Sequence, residues 1–253
     1  MVKIRLFVAE KILNEGHVIK LMEADFEYLT KVMRQKVADE ILLFNGIDGE
    51  FLGHITQIEK KFLLVVLKQK ISQLKKVPNI TLAFALIKNV RIDFLAAKAT
   101  ELGVASFQPI LTQHTIVDKI NPERFRANIK EACEQCERND FPQILDVKKL
   151  DKFLNEATIS EKILILCDES GQGSKASEVL PAIGFTDKEV VILIGPEGGF
   201  SKAEFAKMRE LKNIYPISLG PRILRADTAM IAALTLVQEF LGDFNLKPRF
   251  NNF

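Results

Sequence analysis

Net charge is almost absent from this 253-residue chain: 35 Lys and Arg oppose 33 Asp and Glu, leaving +2 with histidine neutral. So weak a whole-molecule field excludes a uniformly basic protein, and any polyanionic partner must be met by a local patch. Cysteine is scarce. Cys133, Cys136 and Cys167 form an odd set in a chain too long to need disulfide staples, which predicts a reducing compartment. No apolar run approaches the roughly 18 residues of a membrane span, and the opening MVKIRLFVAEK lacks the apolar core of about 7–15 residues that marks a secretory signal. These absences predict a soluble, cytoplasmic protein with no membrane partner.

Familiar catalytic signatures are missing as well. There is no G-x-S-x-G nucleophile elbow and no H-E-x-x-H, and His17, His54 and His114 are scattered as surface or core residues would be. Cys133 and Cys136 spell C-x-x-C inside a polar, acid-rich helical stretch with no second pair, and neighbouring acids raise a thiol pKa. No metal is expected.

What is present is 47% hydrophobic residues and 27% charged, enough for one sizeable core or two modest ones and too apolar for disorder. Residues 1–72 carry short alternating runs punctuated by Asn45-Gly46 and Asp48-Gly49, the pattern of a small β module with tight hairpins. Within it, residues 26–36 fit a short basic helix with Leu29, Val32 and Met33 on one face and Lys31, Arg34 and Lys36 elsewhere. Residues 68–79 are polar, basic and end at proline, which predicts a linker. Beyond it, apolar β-branched runs at 80–87, 107–112, 163–167, 190–194 and 214–218 alternate with helical spacings at 90–102, 122–138, 150–157, 202–211 and 227–240. Strands apolar on both faces, alternating with helices, predict an α/β fold with a covered parallel sheet.

Three loops stand out. In VVILIGPEGGFSKAE the strand ends at Gly195, Gly198 and Gly199 permit positive φ, and Ser201 with Glu204 forms a capping box, so a helix starts at about Ser201. The spacing is neither G-x-G-x-x-G nor a Walker loop. The next strand is followed by Leu219-Gly220-Pro221-Arg222-Ile223-Leu224-Arg225 and then Asp227, which sits where an N-cap belongs. Arg222 and Arg225 suit either an anionic substrate or a subunit contact. Asp168 to Gly173 leaves a third strand in the same sense. Strands joined by one helix are most often neighbours, so all three loops are expected at the C-terminal sheet edge, where α/β sheets bind ligands. The last helix, TAMIAALTLVQEF, is apolar nearly all round.

The paired motifs IGPEGGFS and LGPRILR-x-DTA, with KATELGV at 98–104 and EACEQC at 131–136, resemble the signature of the RsmE-type 16S rRNA uridine-N3 methyltransferases of the SPOUT class. The resemblance spans the whole chain. It implies that residues 73–253 form a parallel-sheet SPOUT domain tied in a deep trefoil knot, and residues 1–72 a PUA-like β-barrel that helps hold RNA. It implies S-adenosylmethionine held by Gly195, Pro196, Glu197, Gly198 and Gly199, by Leu219 and Gly220, and by Ile223 and Leu224, over a floor that includes Leu166 and Asp168. It implies Arg225 facing substrate and a carboxylate at Asp227, where the family usually has Glu. Tyr28 stands where many members have His.

The implied reaction is methylation of N3 of a uridine in the 16S rRNA of the small ribosomal subunit, with Arg225 and Asp227 as catalytic candidates. Phosphates would be met by Arg5, Lys31, Arg34 and Lys36 from the first domain and by Lys88 and Arg91 from the second. A homodimer is expected through the last helix, by way of Met230, Ile231, Leu234, Val237 and Phe240. Two alternatives stay open: a SPOUT enzyme modifying another rRNA or tRNA position, and a non-catalytic RNA-binding assembly factor.

Overall fold

A computed structural model describes residues 4–86, 89–117, 119–184 and 186–247. The chain forms two compact units: one runs to Lys76 and includes Lys130–Phe141, and the other comprises Val77–Ile129 and the chain from Pro142 onward. Among the described residues no helix is long and apolar enough to cross a membrane.

In the first unit, β1 (Arg5–Phe7), β2 (Val18–Met22), β3 (Glu40–Phe44), β4 (Glu50–Ile58) and β5 (Phe62–Ser72) form one sheet in the order β1-β3-β4-β5-β2. Alternation does the work: Leu63, Val65 and Leu67 point inward from β5 to meet Ile41, Leu43 and Ile55. Irregular register between β4 and β5 bends the sheet, but β1 and β2 do not pair. The result is a curled half-barrel sheet, in agreement with the PUA-like barrel module expected. Because β5 continues to Ser72, the stretch read as a linker from residue 68 is strand over its first five positions.

The basic helix differs in phase. It begins earlier, as α1 (Glu23–Glu27), and continues as a π-helical turn over Tyr28–Val32, where Met33 N donates to Tyr28 O at 2.9 Å. A π turn widens the helix and breaks the 100° register. Of the expected apolar face only Leu29 therefore enters the core, with Phe26 packed beside it, while Val32 and Met33 are exposed.

Arg5, expected to meet phosphate, is turned inward. Its Nε donates to Glu50 Oε1 at 2.6 Å, Nη1 to the carbonyls of Cys133 and Glu134 at 2.9 and 3.1 Å, and Nη2 to that of Arg138 at 3.2 Å. These carbonyls close the end of α3 (Pro122–Cys136), where helical C=O groups lack partners. One guanidinium thus neutralises a fully buried carboxylate and caps a helix, which explains why Lys130–Phe141 belongs to this unit.

The second unit is a parallel sheet. Its strands are β6 (Ile80–Ala85), β7 (Ser106–Leu111), β8 (Gln143–Ile144), β9 (Lys148–Lys149), β10 (Ile163–Cys167), β11 (Ser174–Lys175), β12 (Val190–Ile194) and β13 (Ile214–Ser218), ordered β11-β13-β10-β12-β6-β7-β8 with β9 beside β7. β6 and β12 are buried at every residue, as a sheet covered on both faces requires. On one face α4 (Leu150–Ile159) and α6 (Lys202–Arg209) supply Phe153, Leu154, Phe205 and Met208 to a core with Leu164, Leu166, Val191 and Leu193. Elsewhere α2 (Asn89–Glu101) and α5 (Ala176–Ile183) pack with α7 (Ala226–Leu241), which also reaches β12.

β12 and β13 are not the neighbours expected of strands joined by one helix, because β10 lies between them. All three run parallel, so their C-terminal ends still share one edge.

Candidate functional site

At that edge three loops enclose a cleft of about 330 Å³. The β12–α6 loop contributes Gly195, Pro196 and Glu197. The β13–α7 loop contributes Leu219, Gly220, Ile223, Leu224 and Arg225, and the start of the β10–α5 loop contributes Cys167, Asp168 and Glu169. The lining is largely apolar side chains and backbone, with the carboxylates of Asp168, Glu169 and Glu197 and the exposed Arg222 and Arg225 among it.

Local chemistry shapes the β12–α6 loop. Gly199 N donates to Pro196 O at 2.9 Å, closing a turn in which Gly199 takes φ +68°. A Cβ there would also displace Glu169 Oε1, the end of a flexible side chain, so the backbone conformation is what favours glycine. At Gly195 a Cβ would stand 3.0 Å from the Phe200 ring. The capping box forms as the sequence predicts: Glu204 N donates to Ser201 Oγ at 3.2 Å, and Ser201 N to Glu204 Oε2 at 2.8 Å. His114 supports the turn from the β7 side, its Nδ1–H directed at the carbonyls of Gly198 and Gly199 at 3.1 and 3.0 Å. Carbonyls only accept, so Nδ1 carries the proton.

Electrostatics differ sharply between adjacent acids. Burial pushes the Asp168 carboxyl up, but the Ser170 hydroxyl, Arg209 and the Ser170 N–H outweigh it and hold Asp168 below the usual carboxylate range. Burial pushes Glu169 above that range despite the Phe200 N–H it accepts, and the Asp168 charge adds to the rise. Burial pushes the Cys167 thiol up to about 12, so it is a neutral wall and no nucleophile.

An RNA methyltransferase domain model matches residues 74–238 and an RNA methyltransferase PUA domain model residues 21–68. The ribosomal RNA small subunit methyltransferase E of Rickettsia conorii is 31% identical over 234 residues, covering 92% of this chain and 94% of that protein. This chain belongs to the ribosomal RNA small subunit methyltransferase E family. The member from Buchnera aphidicola (Schizaphis graminum) is 32% identical, with 92% and 95% covered. The crystal structure of the Neisseria gonorrhoeae member bound to S-adenosyl methionine superposes with a TM-score of 0.84 at 26% identity, covering 96% of this chain and all of that one.

With the family known, each expected site residue can be located. Gly195, Pro196, Glu197, Leu219, Gly220, Ile223, Leu224 and Asp168 line the cleft, and Arg225 stands at its mouth as the N-cap residue of α7. Four others, Leu166, Gly198, Gly199 and Asp227, do not line it. Leu166 lies wholly in the core beneath, because strand alternation points it away and presents Cys167 instead. Gly198 and Gly199 shape the turn but face His114 and Glu169. Asp227 is not the N-cap; it sits one residue inside α7, where its Oδ1 accepts Thr228 N at 2.8 Å.

Of the expected RNA contacts, Lys31, Arg34 and Lys36 are exposed, with Lys31 paired to Glu27 at 2.7 Å. Arg5 is excluded by burial. Lys88 lies outside the described residues, and Arg91 falls in α2 with its side chain outside them. Sequence reasoning missed Arg209 and Ser170, which fix the Asp168 bend, and the role of His114. No local motif marks them, because each acts across the sheet edge. Cys133 is buried, with its thiol pushed far up by burial. Among the described residues no group of His, Cys, Asp and Glu could hold a metal.

Proposed function

We propose that this protein is an S-adenosylmethionine-dependent methyltransferase that acts on N3 of a uridine in the 16S rRNA of the small ribosomal subunit, in the cytoplasm. The observation that carries the reading is the cleft itself: GPEGG and LGPRILR loops meet at one sheet edge in a chain of this family, with Arg225 at the opening. The apolar walls Ile194, Leu219 and Leu224 suit an adenosine, and Glu169 and Glu197 suit the donor's cationic groups.

When bound, S-adenosylmethionine supplies an electrophilic methyl group on its sulfonium. The chain's own task is to hold the uracil N3 in line and to favour loss of its proton to water. Neutral N3 is a poor nucleophile; its anion spreads charge onto O2 and O4, and the guanidinium of Arg225 stabilises that charge as it develops. Paired uracil hides N3, so the target is unpaired or flipped outward. Lys31, Arg34 and Lys36 hold the phosphates and add no base specificity.

The wiring around the cleft supports the trefoil knot. The chain crosses β10 on its way from β12 to β13, then returns so that α7 packs on β12 and α2. A homodimer is also part of the reading. Met230, Leu234 and Val237 are consumed inside this unit's own core, whereas Ala232, Leu236 and Phe240 form a partly exposed apolar stripe at helical spacing. That stripe is the surface for a second copy.

Titration calorimetry with S-adenosylmethionine tests the site. Binding unaffected by EDTA and abolished in Gly199→Val is expected, because valine is strained at this φ and displaces Glu169. Unchanged affinity in that variant, or loss of affinity with EDTA, contradicts it.

A further inference from the structure

We infer that Arg209, which does not line the cleft, is a positioning residue that ties the end of α6 to the Asp168–Ser170 bend and so fixes two cleft loops against each other. The inference rests on the reading of the cleft as the methyl-donor site.

The geometry is specific. Arg209 Nη2 donates to Asp168 Oδ2 at 2.9 Å and to Ser170 Oγ at 2.6 Å. Ser170 donates twice to the other carboxylate oxygen, from its backbone N at 2.7 Å and its hydroxyl at 2.5 Å. Asp168 N meanwhile donates to Ile217 O in β13 at 2.9 Å. The Asp168 side chain is fully buried, while that of Arg209 is 32% exposed and passes over the Phe205 ring at 5.3 Å. Asp168 lines the cleft, yet its carboxylate is engaged by the protein on both oxygens.

Rigidity turns this contact into a link between loops. α6 starts at the Ser201 capping box that closes the β12–α6 turn and ends at Arg209, eight residues on. A short capped helix transmits position with little loss, so the guanidinium at its far end reports where the turn lies. Without that cation the buried Asp168 charge lacks its partner and is relieved only if the bend swings toward water, displacing Cys167 to Glu169 from the cleft wall. Arg209 touches neither reacting group, so its loss acts on donor binding and not on the chemical step.

Purified full-length protein decides the matter by calorimetry with S-adenosylmethionine and by steady-state methylation of small subunits. Arg209→Gln is expected to raise the donor Kd and KM about tenfold, with kcat and the KM for RNA within about twofold, and Arg209→Lys to recover part of the loss. A purely structural role would lower the folded fraction and hence kcat, leaving donor Kd unchanged. Should Arg209→Gln not fold, Ser170→Ala at an exposed position keeps the ion pair, removes the bridging hydroxyl, and is expected to weaken donor binding about threefold. Unchanged donor Kd in whichever variant folds overturns the link alone. Absence of S-adenosylmethionine binding by the wild-type protein overturns the donor-site reading, and this inference with it.

Discussion

Arg225 has an exposed side chain at the mouth of the cleft while its carbonyl accepts Ala229 N at 2.8 Å, so its backbone is anchored and its guanidinium is available to a ligand. If it stabilises the uracil anion in the transition state, Arg225→Ala lowers kcat by about 100-fold or more with donor affinity nearly unchanged. Replacing Lys31 and Arg34 together by alanine has a different signature: weaker RNA binding at every sequence and a flatter salt dependence. Single-turnover methylation at saturating RNA separates the two, and full recovery of rate by Arg225→Ala under those conditions would make it a docking residue. At this scale the sequence was legible where a residue's role is local. The glycine at 199 and the Ser201–Glu204 box follow from turn and cap chemistry alone. Arg5 was not legible, because an arginine in an alternating strand carries no sign of the buried Glu50 or the α3 carbonyls that claim it.

The end of α3 and strand β1 depend on each other through that arginine. With Glu50 fully buried and the Arg5 side chain 5% exposed, Arg5→Ala strands a buried carboxylate and uncaps a helix end. A loss of about 3–5 kcal/mol is expected in denaturant unfolding. If Arg5 met phosphate instead, stability would hold and the salt slope of RNA binding would flatten. Among elements, the strands at 163–167, 190–194 and 214–218 were readable to the residue, since short apolar runs rich in β-branched or aromatic residues and bounded by glycine or turn signals have few other readings. α5 went unread: it has eight residues and contains Pro181, which masks helical periodicity. The π turn at Tyr28–Val32 also escaped, because its sequence satisfies an ordinary helical period while its geometry does not.

Across the whole molecule, the order β13-β10-β12 was beyond reach of local pattern, since neighbour preference predicts β12 beside β13 and only the long-range path reverses it. The change of rhythm lies near residue 73, whereas the first compact unit runs to Lys76 and takes in Lys130–Phe141, a return that no local pattern marks. The proposed dimer is tested at the exposed stripe: Phe240→Glu should give a monomer by light scattering with its melting temperature retained, whereas Leu234→Asp would unfold the core. A wild-type monomer at micromolar concentration contradicts the dimer. The proposed activity is tested most directly by mass-spectrometric nucleoside mapping of 16S rRNA from small subunits of a strain lacking this gene, before and after incubation with the purified protein and S-adenosylmethionine. One 3-methyluridine, absent before incubation and present after, is expected; a methyl group on a ribose, on another base, or on no nucleotide contradicts the proposal.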